Sequence, residues 1–134
     1  MIIINHNDHL DFEKIINKIR SKHINLDTTD FQNITNGCSE IHSFVSIKTG
    51  ENRIKRGLDE ILKNEDIQDI LPKAKSFLII FTHSPESQNL LSVEEIQQSH
   101  EILNNYFSQK DILWKLAEDN QLKDSVQIIV LAII

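Results

Sequence analysis

The sequence predicts an α+β fold: a mixed β-sheet with helices packed against it. Three observations lead there. Apolar runs of strand length are separated by stretches whose apolar residues recur at helical spacing. The last run, "SVQIIVLAII" (125–134), is apolar on both of its alternating faces, as a buried strand requires. At 134 residues, 40% of them hydrophobic, the chain suits one domain with a substantial core, and it shows no repeat or linker.

In order, "IIIN" (2–5) reads as a short buried strand. Leu10, Phe12, Ile15, Ile16 and Ile19 recur near helical spacing among Glu13, Lys14, Lys18 and Arg20, which predicts an amphipathic helix over 10–22. A short helix is expected over 28–35, ended by Asn36-Gly37, because glycine accepts the left-handed conformation of a helix terminus. "IHSFVSIKT" (41–49) places Ile41, Ser43, Val45 and Ile47 on one face of a strand. A helix over 51–64 turns Ile54, Leu58, Ile61 and Leu62 inward, and Pro72 falls in the connection that follows. "SFLIIFTH" (76–83) reads as a central strand and "SPESQN" as a loop. Ser92 with Glu95 three residues later is a capping box, opening a helix over 93–107. "ILWKLA" (112–117) is the penultimate strand, and the polar "EDNQLKD" joining it to the last strand suits an antiparallel pair.

Composition excludes several functions. A net charge of −6 offers no basic footprint for nucleic acid and no attraction to an anionic membrane. No stretch approaches the roughly 18 apolar residues of a membrane-spanning helix, and "MIII" is too short for a signal peptide. A single cysteine, Cys38, makes no internal disulfide, so the cytoplasm is the expected location. The three glycines, Gly37, Gly50 and Gly57, are scattered, so no phosphate-cradling loop is encoded.

Several segments also stand in a familiar order. "NLDTTDF" (25–31), "GENR" (50–53), "SFLIIF" (76–81), "LSVEEIQQSHEI" (91–102), "NQLKD" (120–124) and "VQIIVLAI" (126–133) together resemble the C-terminal half of the FtsZ/tubulin family. Each piece is short; the shared order and spacing make the resemblance specific. It implies a mainly antiparallel four-stranded sheet within the mixed α+β fold. It also implies one domain over 1–134, with an opening strand and shortened central helix over 1–22 and the domain proper over 23–134. The family's GTP-binding half, with its glycine-rich signature loop, has no counterpart here, nor has its partner-binding tail. "FTHSPES" replaces a glycine-containing strand end, Lys115 stands where a glycine is common, and Ile54 and Leu58 replace small alanines.

The resemblance places Asn25, Asp27 and Asp30 on the family's acidic interaction loop. There, the loop of one subunit enters the GTP site of its neighbour, and its carboxylates orient the water that attacks the γ-phosphate. Phosphoryl transfer depends on such positioning and electrostatics. On that reading Asp27 and Asp30 are catalytic in trans. The same residues admit a plainer role: Asp27 as an N-cap and Asp30 in the first turn of a helix, favoured by its dipole by roughly 0.3–1 kcal/mol.

Other candidates carry less. His6, Asp8 and His9 lack a third clustered ligand for a metal, and His42, His83 and His100 stand apart in the sequence. Cys38, Ser43, Ser46 and Ser76 lack a nucleophile's local signature. Trp114 alternates with apolar neighbours, as core or interface packing does, and Arg53 and Arg56 beside Glu51 read as surface charges or a helix-start network. The expectation is therefore a non-enzymatic module of FtsZ-type filaments, with no metal and no cofactor of its own. GTP would be met only through a partner. The partner is a full-length FtsZ/tubulin-like protein or a second copy, with no nucleic acid and no membrane insertion. A small-ligand or enzymatic domain reusing the architecture is the alternative, and a functionally decayed remnant or a fragment of a larger protein is a third.

Overall fold

In the computed structural model the described residues are 2–6, 33, 35–107 and 110–134. Five strands form one sheet: β1 (Ile2–Asn5), β2 (Glu40–Thr49), β3 (Ser76–His83), β4 (Asp111–Glu118) and β5 (Ser125–Ile133), in the spatial order β1-β2-β5-β3-β4. Three helices are described: α1 (Arg53–Leu62), α2 (Glu65–Ile70) and α3 (Val93–Tyr106). The predicted class holds. β2 to β5 make a four-stranded, mainly antiparallel sheet in which β5 runs against both β2 and β3 while β3 and β4 are parallel. β1 adds a fifth strand beside β2, parallel to it.

β5 takes the centre because every residue after Ser125 is buried, which only a strand flanked on both sides and covered on both faces allows. β4 takes an edge and stays half-exposed along most of its length. This corrects one expectation: the "EDNQLKD" link does not join paired strands, since β3 lies between β4 and β5. The reason is α3. A helix between β3 and β4 makes a crossover, which sets those two strands side by side and parallel, and the polar link must then pass β3 to reach β5. The structure also adds α2, a six-residue helix within a stretch read from the sequence as connection. Its N-cap, Asn64, accepts from the Asp66 N–H at 2.9 Å.

Alternation divides the core. Phe44 of β2, Phe77, Ile79 and Phe81 of β3, and Ile128, Val130 and Ala132 of β5 face the helices. There they meet Ile54, Leu58, Ile61 and Leu62 of α1, Ile67 and Ile70 of α2, and Leu103 of α3. The four α1 residues are those its spacing pointed inward. On the opposite face Ile41, Val45, Leu78, Ile80, Ile129, Leu131 and Ile133 form a second cluster, with Cys38 half-buried against it. No described helix is long and apolar enough to cross a membrane.

α1 approaches the sheet at Gly57. A Cβ there would stand 2.8 Å from Ile128 Cδ1 and 2.8 Å from Ser46 Oγ, both short of van der Waals contact. Alanine favours a helix interior by about 1 kcal/mol over glycine, but overpacking a full core costs about 1–3 kcal/mol. Gly57→Ala is expected to lower stability by about 1 kcal/mol net, read as a fall in the urea midpoint without a change in the slope.

Candidate functional site

The carboxyl ends of β2, β3 and β4 and the start of β5 lie at one end of the sheet, as the pairings of Thr49 with Ser125, Thr82 with Gln127, and His83 with Glu118 show. Three loops emerge there: 50–52, 84–92 and 119–124. Three of the segments that carry the family resemblance, "GENR", "LSVEE" and "NQLKD", are thereby brought together.

Each loop turns sharply for a local reason. Gly50 (φ +89°) and Asn52 (φ 56°) are left-handed, which reverses β2 into α1 within a few residues. Lys123 also has a positive φ of 54°, at the end of the single 3₁₀ turn Asn120–Leu122, whose start is capped by Asp119 accepting from the Gln121 N–H at 3.0 Å. Ser84 and Ser87 fold the middle loop onto its neighbour. Ser84 Oγ donates to Asn120 Oδ1 at 3.1 Å and Ser87 Oγ to Asp124 Oδ1 at 2.6 Å.

Arg53 locks the loops together. Its Nε and Nη2 donate to the two carboxylate oxygens of Glu95 at 2.9 and 3.0 Å, a bidentate pair, and its Nη1 donates to the Asp124 carbonyl at 3.0 Å. One side chain, 5% exposed, thus ties the first turn of α1, the first turn of α3 and the β4–β5 turn. Glu95 also completes the predicted capping box: Ser92 Oγ accepts from the Glu95 N–H at 3.1 Å, and the Ser92 N–H donates to Glu95 Oε1 at 3.1 Å. Burial pushes the Glu95 carboxyl pKa up, but the Arg53 and Ser92 hydrogen bonds and the Arg53 charge outweigh it and leave the pKa below its ordinary value. The helix-start network read for Arg53 is therefore present. Arg56 stays exposed, donating to the Glu51 carbonyl at 3.0 Å and to the Thr49 carbonyl.

The outer surface of this end is contoured. A cavity of about 550 Å³ opens between Gly50, Asn52, Arg53, Leu90, Glu94 and Gln98, and one of about 370 Å³ between Ser84, Ser87, Asn120, Lys123 and Asp124. Leu90, which lines the first cavity, is 56% exposed, Val93 at the start of α3 is 70% exposed, and Ile47 near the end of β2 is 50% exposed. Sequence reasoning did not single out Leu90 or Val93, and it placed Ile47 on one face with Ile41, Ser43 and Val45, which are buried where Ile47 is not. Glu51, Glu86 and Glu94 are exposed on the same end. Among the described residues, this end presents hydrogen-bonded loops, carboxylates and isolated apolar side chains on one frame.

Asn25, Asp27 and Asp30 lie outside the described residues, as do Asp8 and His9. Among the described residues no group of three or more histidines, cysteines or acids is placed to hold a metal ion. Trp114 packs edge-on against Phe81 and His100, with ring centroids 6.3 and 4.3 Å apart, in keeping with core packing. Ser43, Ser46 and Ser76 are buried strand residues. His6 and His42, set far apart by the sequence, meet; their side chains bond to each other.

Neither a protein-family model nor a curated protein matches the chain. Solved structures do. An FtsZ point mutant from M. jannaschii superposes with a TM-score of 0.67 at 18% identity, over 90% of this chain and 38% of that one. An empty FtsZ dimer from M. jannaschii gives 0.63 at 21%, over 90% and 37%. GDP-bound CetZ1 from Haloferax volcanii gives 0.52 at 12%, again over 90% and 37%. The chain thus has the fold of the FtsZ/tubulin C-terminal domain and spans under two fifths of the length of those structures.

Two outcomes follow from the Arg53 clamp. Arg53→Ala removes the cation from Glu95, which keeps only its Ser92 bonds, and is expected to cost about 1.5–3 kcal/mol in denaturant unfolding, the worth of a hydrogen bond to a charged group, with Arg53→Lys recovering only part of it because an ammonium cannot engage both oxygens in the same plane. The second concerns acid. Because the folded pKa of Glu95 is lowered, its contribution to stability is complete above the ordinary glutamate range and is lost as the pH falls from there through the folded value. Unfolding titrations across that range should show a steeper acid loss in the native chain than in Glu95→Gln.

Proposed function

We propose that this chain is an interaction module of FtsZ-type filaments that works on a partner's polymer rather than as an enzyme. The observation that carries the reading is the conjunction at the loop end: the fold matches FtsZ over 90% of this chain, and three resemblance segments meet there through Arg53. The sequence given encodes no phosphate-cradling glycine loop, so on this reading GTP belongs to the partner. The partner is a full-length FtsZ/tubulin-like subunit, or a second copy of this chain, in the cytoplasm, and the process is cell division or a related cytoskeletal task.

On this reading the loop end supplies the docking face, and covering the exposed Leu90 and Val93 removes apolar area from water. On the family resemblance, Asp27 and Asp30 supply the carboxylates that act on the water attacking the partner's γ-phosphate, with Asn25 part of the same loop, in a step where charge and geometry govern the rate. The domain adds a subunit end without adding a nucleotide, so it caps the polymer or alters its turnover.

The test mixes the chain with a full-length FtsZ-type protein from the same cell and reads pelleted polymer and phosphate release. The native chain is expected to change both. Leu90→Asp should weaken co-sedimentation about tenfold, about 1.4 kcal/mol. Asp27→Ala combined with Asp30→Ala should keep the binding and lose the effect on phosphate release. If the native chain alters neither polymer nor turnover, and the variants match it, the reading is wrong.

A further inference from the structure

β4 is an edge strand of an uncommon kind. Edge strands are ordinarily short, broken by proline or a bulge, or lined with charge, because their outer N–H and C=O groups can pair with another chain. β4 is eight residues long, contains no proline, and keeps an unbroken register with β3 from Asp111 to Glu118. The opposite edge, β1, is four residues long. Among the described residues no strand lies on the outer side of β4. Apolar side chains stand half-exposed on both of its faces. Ile112, Trp114 and Leu116 pack against the helix-side core, and Leu113 packs against the second cluster. Neither contact buries them fully.

The residues of this edge complement themselves. Strands paired across an edge keep the two faces of the sheet continuous, so residues standing opposite each other lie on the same face. For two copies of β4 related by a two-fold axis normal to the sheet, the axis must therefore pass through a residue. Through Lys115, it sets that ammonium against its own copy and Asp111 against Asp119, like charges that repel. Through Leu113, it offers Asp111 to Lys115 but leaves Leu116 to Glu118 beyond the end of the facing strand. Axes nearer the ends of the strand pair less of it. Through Trp114, every residue from Asp111 to Ala117 has an opposite number. Trp114 then meets Trp114 and Ile112 meets Leu116 on the helix face, while Leu113 meets the apolar stem of Lys115 on the other. The same register sets Lys110 opposite the exposed Glu118 at both ends, a pair of opposite charges. Lys110 Nζ donates to the Ala74 carbonyl at 2.9 Å, which uses one of the three donors of the ammonium.

We propose that β4 pairs antiparallel with β4 of a second copy of this chain, about a two-fold axis through Trp114, joining two five-stranded sheets into one. The contact is isologous and uses up the edge on both copies, so it closes at a dimer. Both helix layers stay on one side of the joined sheet, and the two loop ends point in opposite directions. The lone edge already bonds to water, so the new backbone bonds add little net strength. The driving force is the covering of Trp114 and its apolar neighbours. This contact runs along the side of the sheet and calls on no FtsZ-type protein, so it stands or falls apart from the docking reading of the loop end.

The test uses the full chain alone. Sedimentation equilibrium is expected to show monomer and dimer in a ratio that depends on concentration. Amide hydrogen exchange within 111–117 is expected to slow as concentration rises, while β1 exchanges at an unchanged rate. Glu118→Lys sets like charges opposite Lys110 at both ends and should weaken the dimer about tenfold. Glu118 is exposed, so this variant is expected to fold. Adding Lys110→Glu restores opposite charges and should recover most of the loss. A native chain that stays monomeric up to about 1 mM would overturn the proposal. So would a dimer in which 111–117 exchange as fast as in the monomer, or one that Glu118→Lys leaves unchanged. Slower β4 exchange only on adding a full-length FtsZ-type protein would give the edge to that protein and overturn the proposal equally.

Discussion

The bidentate pair between Arg53 and Glu95 is the constraint on which the loop end depends. A guanidinium 5% exposed must satisfy its donors within the protein, and it does so on α3 and on the β4–β5 turn. Each partner is held by a further bond: Glu95 by the Ser92 cap, Asp124 by the Ser87 hydroxyl. Each loop's own turn sets its course, and the mutual satisfaction of these polar groups fixes the loops to one another. A planar fork is what this junction asks for, since it reaches three oxygens on two elements at once.

The second constraint is the central position of β5. Its apolar residues on both faces demand neighbours on either side, and the helix between β3 and β4 makes those two adjacent and parallel. Together these place β5 between β2 and β3, and they bring the carboxyl ends of β2, β3 and β4 to one side. The contoured end is thus a consequence of topology. It exists because one strand is too apolar for an edge and one crossover is too long for a hairpin.

Much of this was legible in the sequence, and the parts that were not have physical reasons. Ser92 and Glu95 announce their cap because a capping box is local, and Ile54, Leu58 and Ile61 announce their buried face because spacing along a helix is local. The β4–β5 relation was misread because a polar link reports that two strands are connected, not what passes between them. α2 escaped notice because six residues hold barely two turns of periodicity. Leu90 and Val93 looked like ordinary apolar residues, since exposure is set by tertiary structure. The pairing of His6 with His42 joins residues 36 apart through the β1–β2 register, which no local pattern encodes. The acidic loop was read from resemblance alone and lies outside the described residues.

The two polar centres hold the domain by different means. At the loop end a permanent cation meets a carboxylate, so the clamp persists until acid removes the negative charge. At the other end of β2 the tie is a line of hydrogen bonds, from Asp66 through His6 and His42 to Glu40. The first joins loops that leave the sheet, while the second joins β1, β2 and α2, so each end of β2 is fastened to a helix by polar side chains.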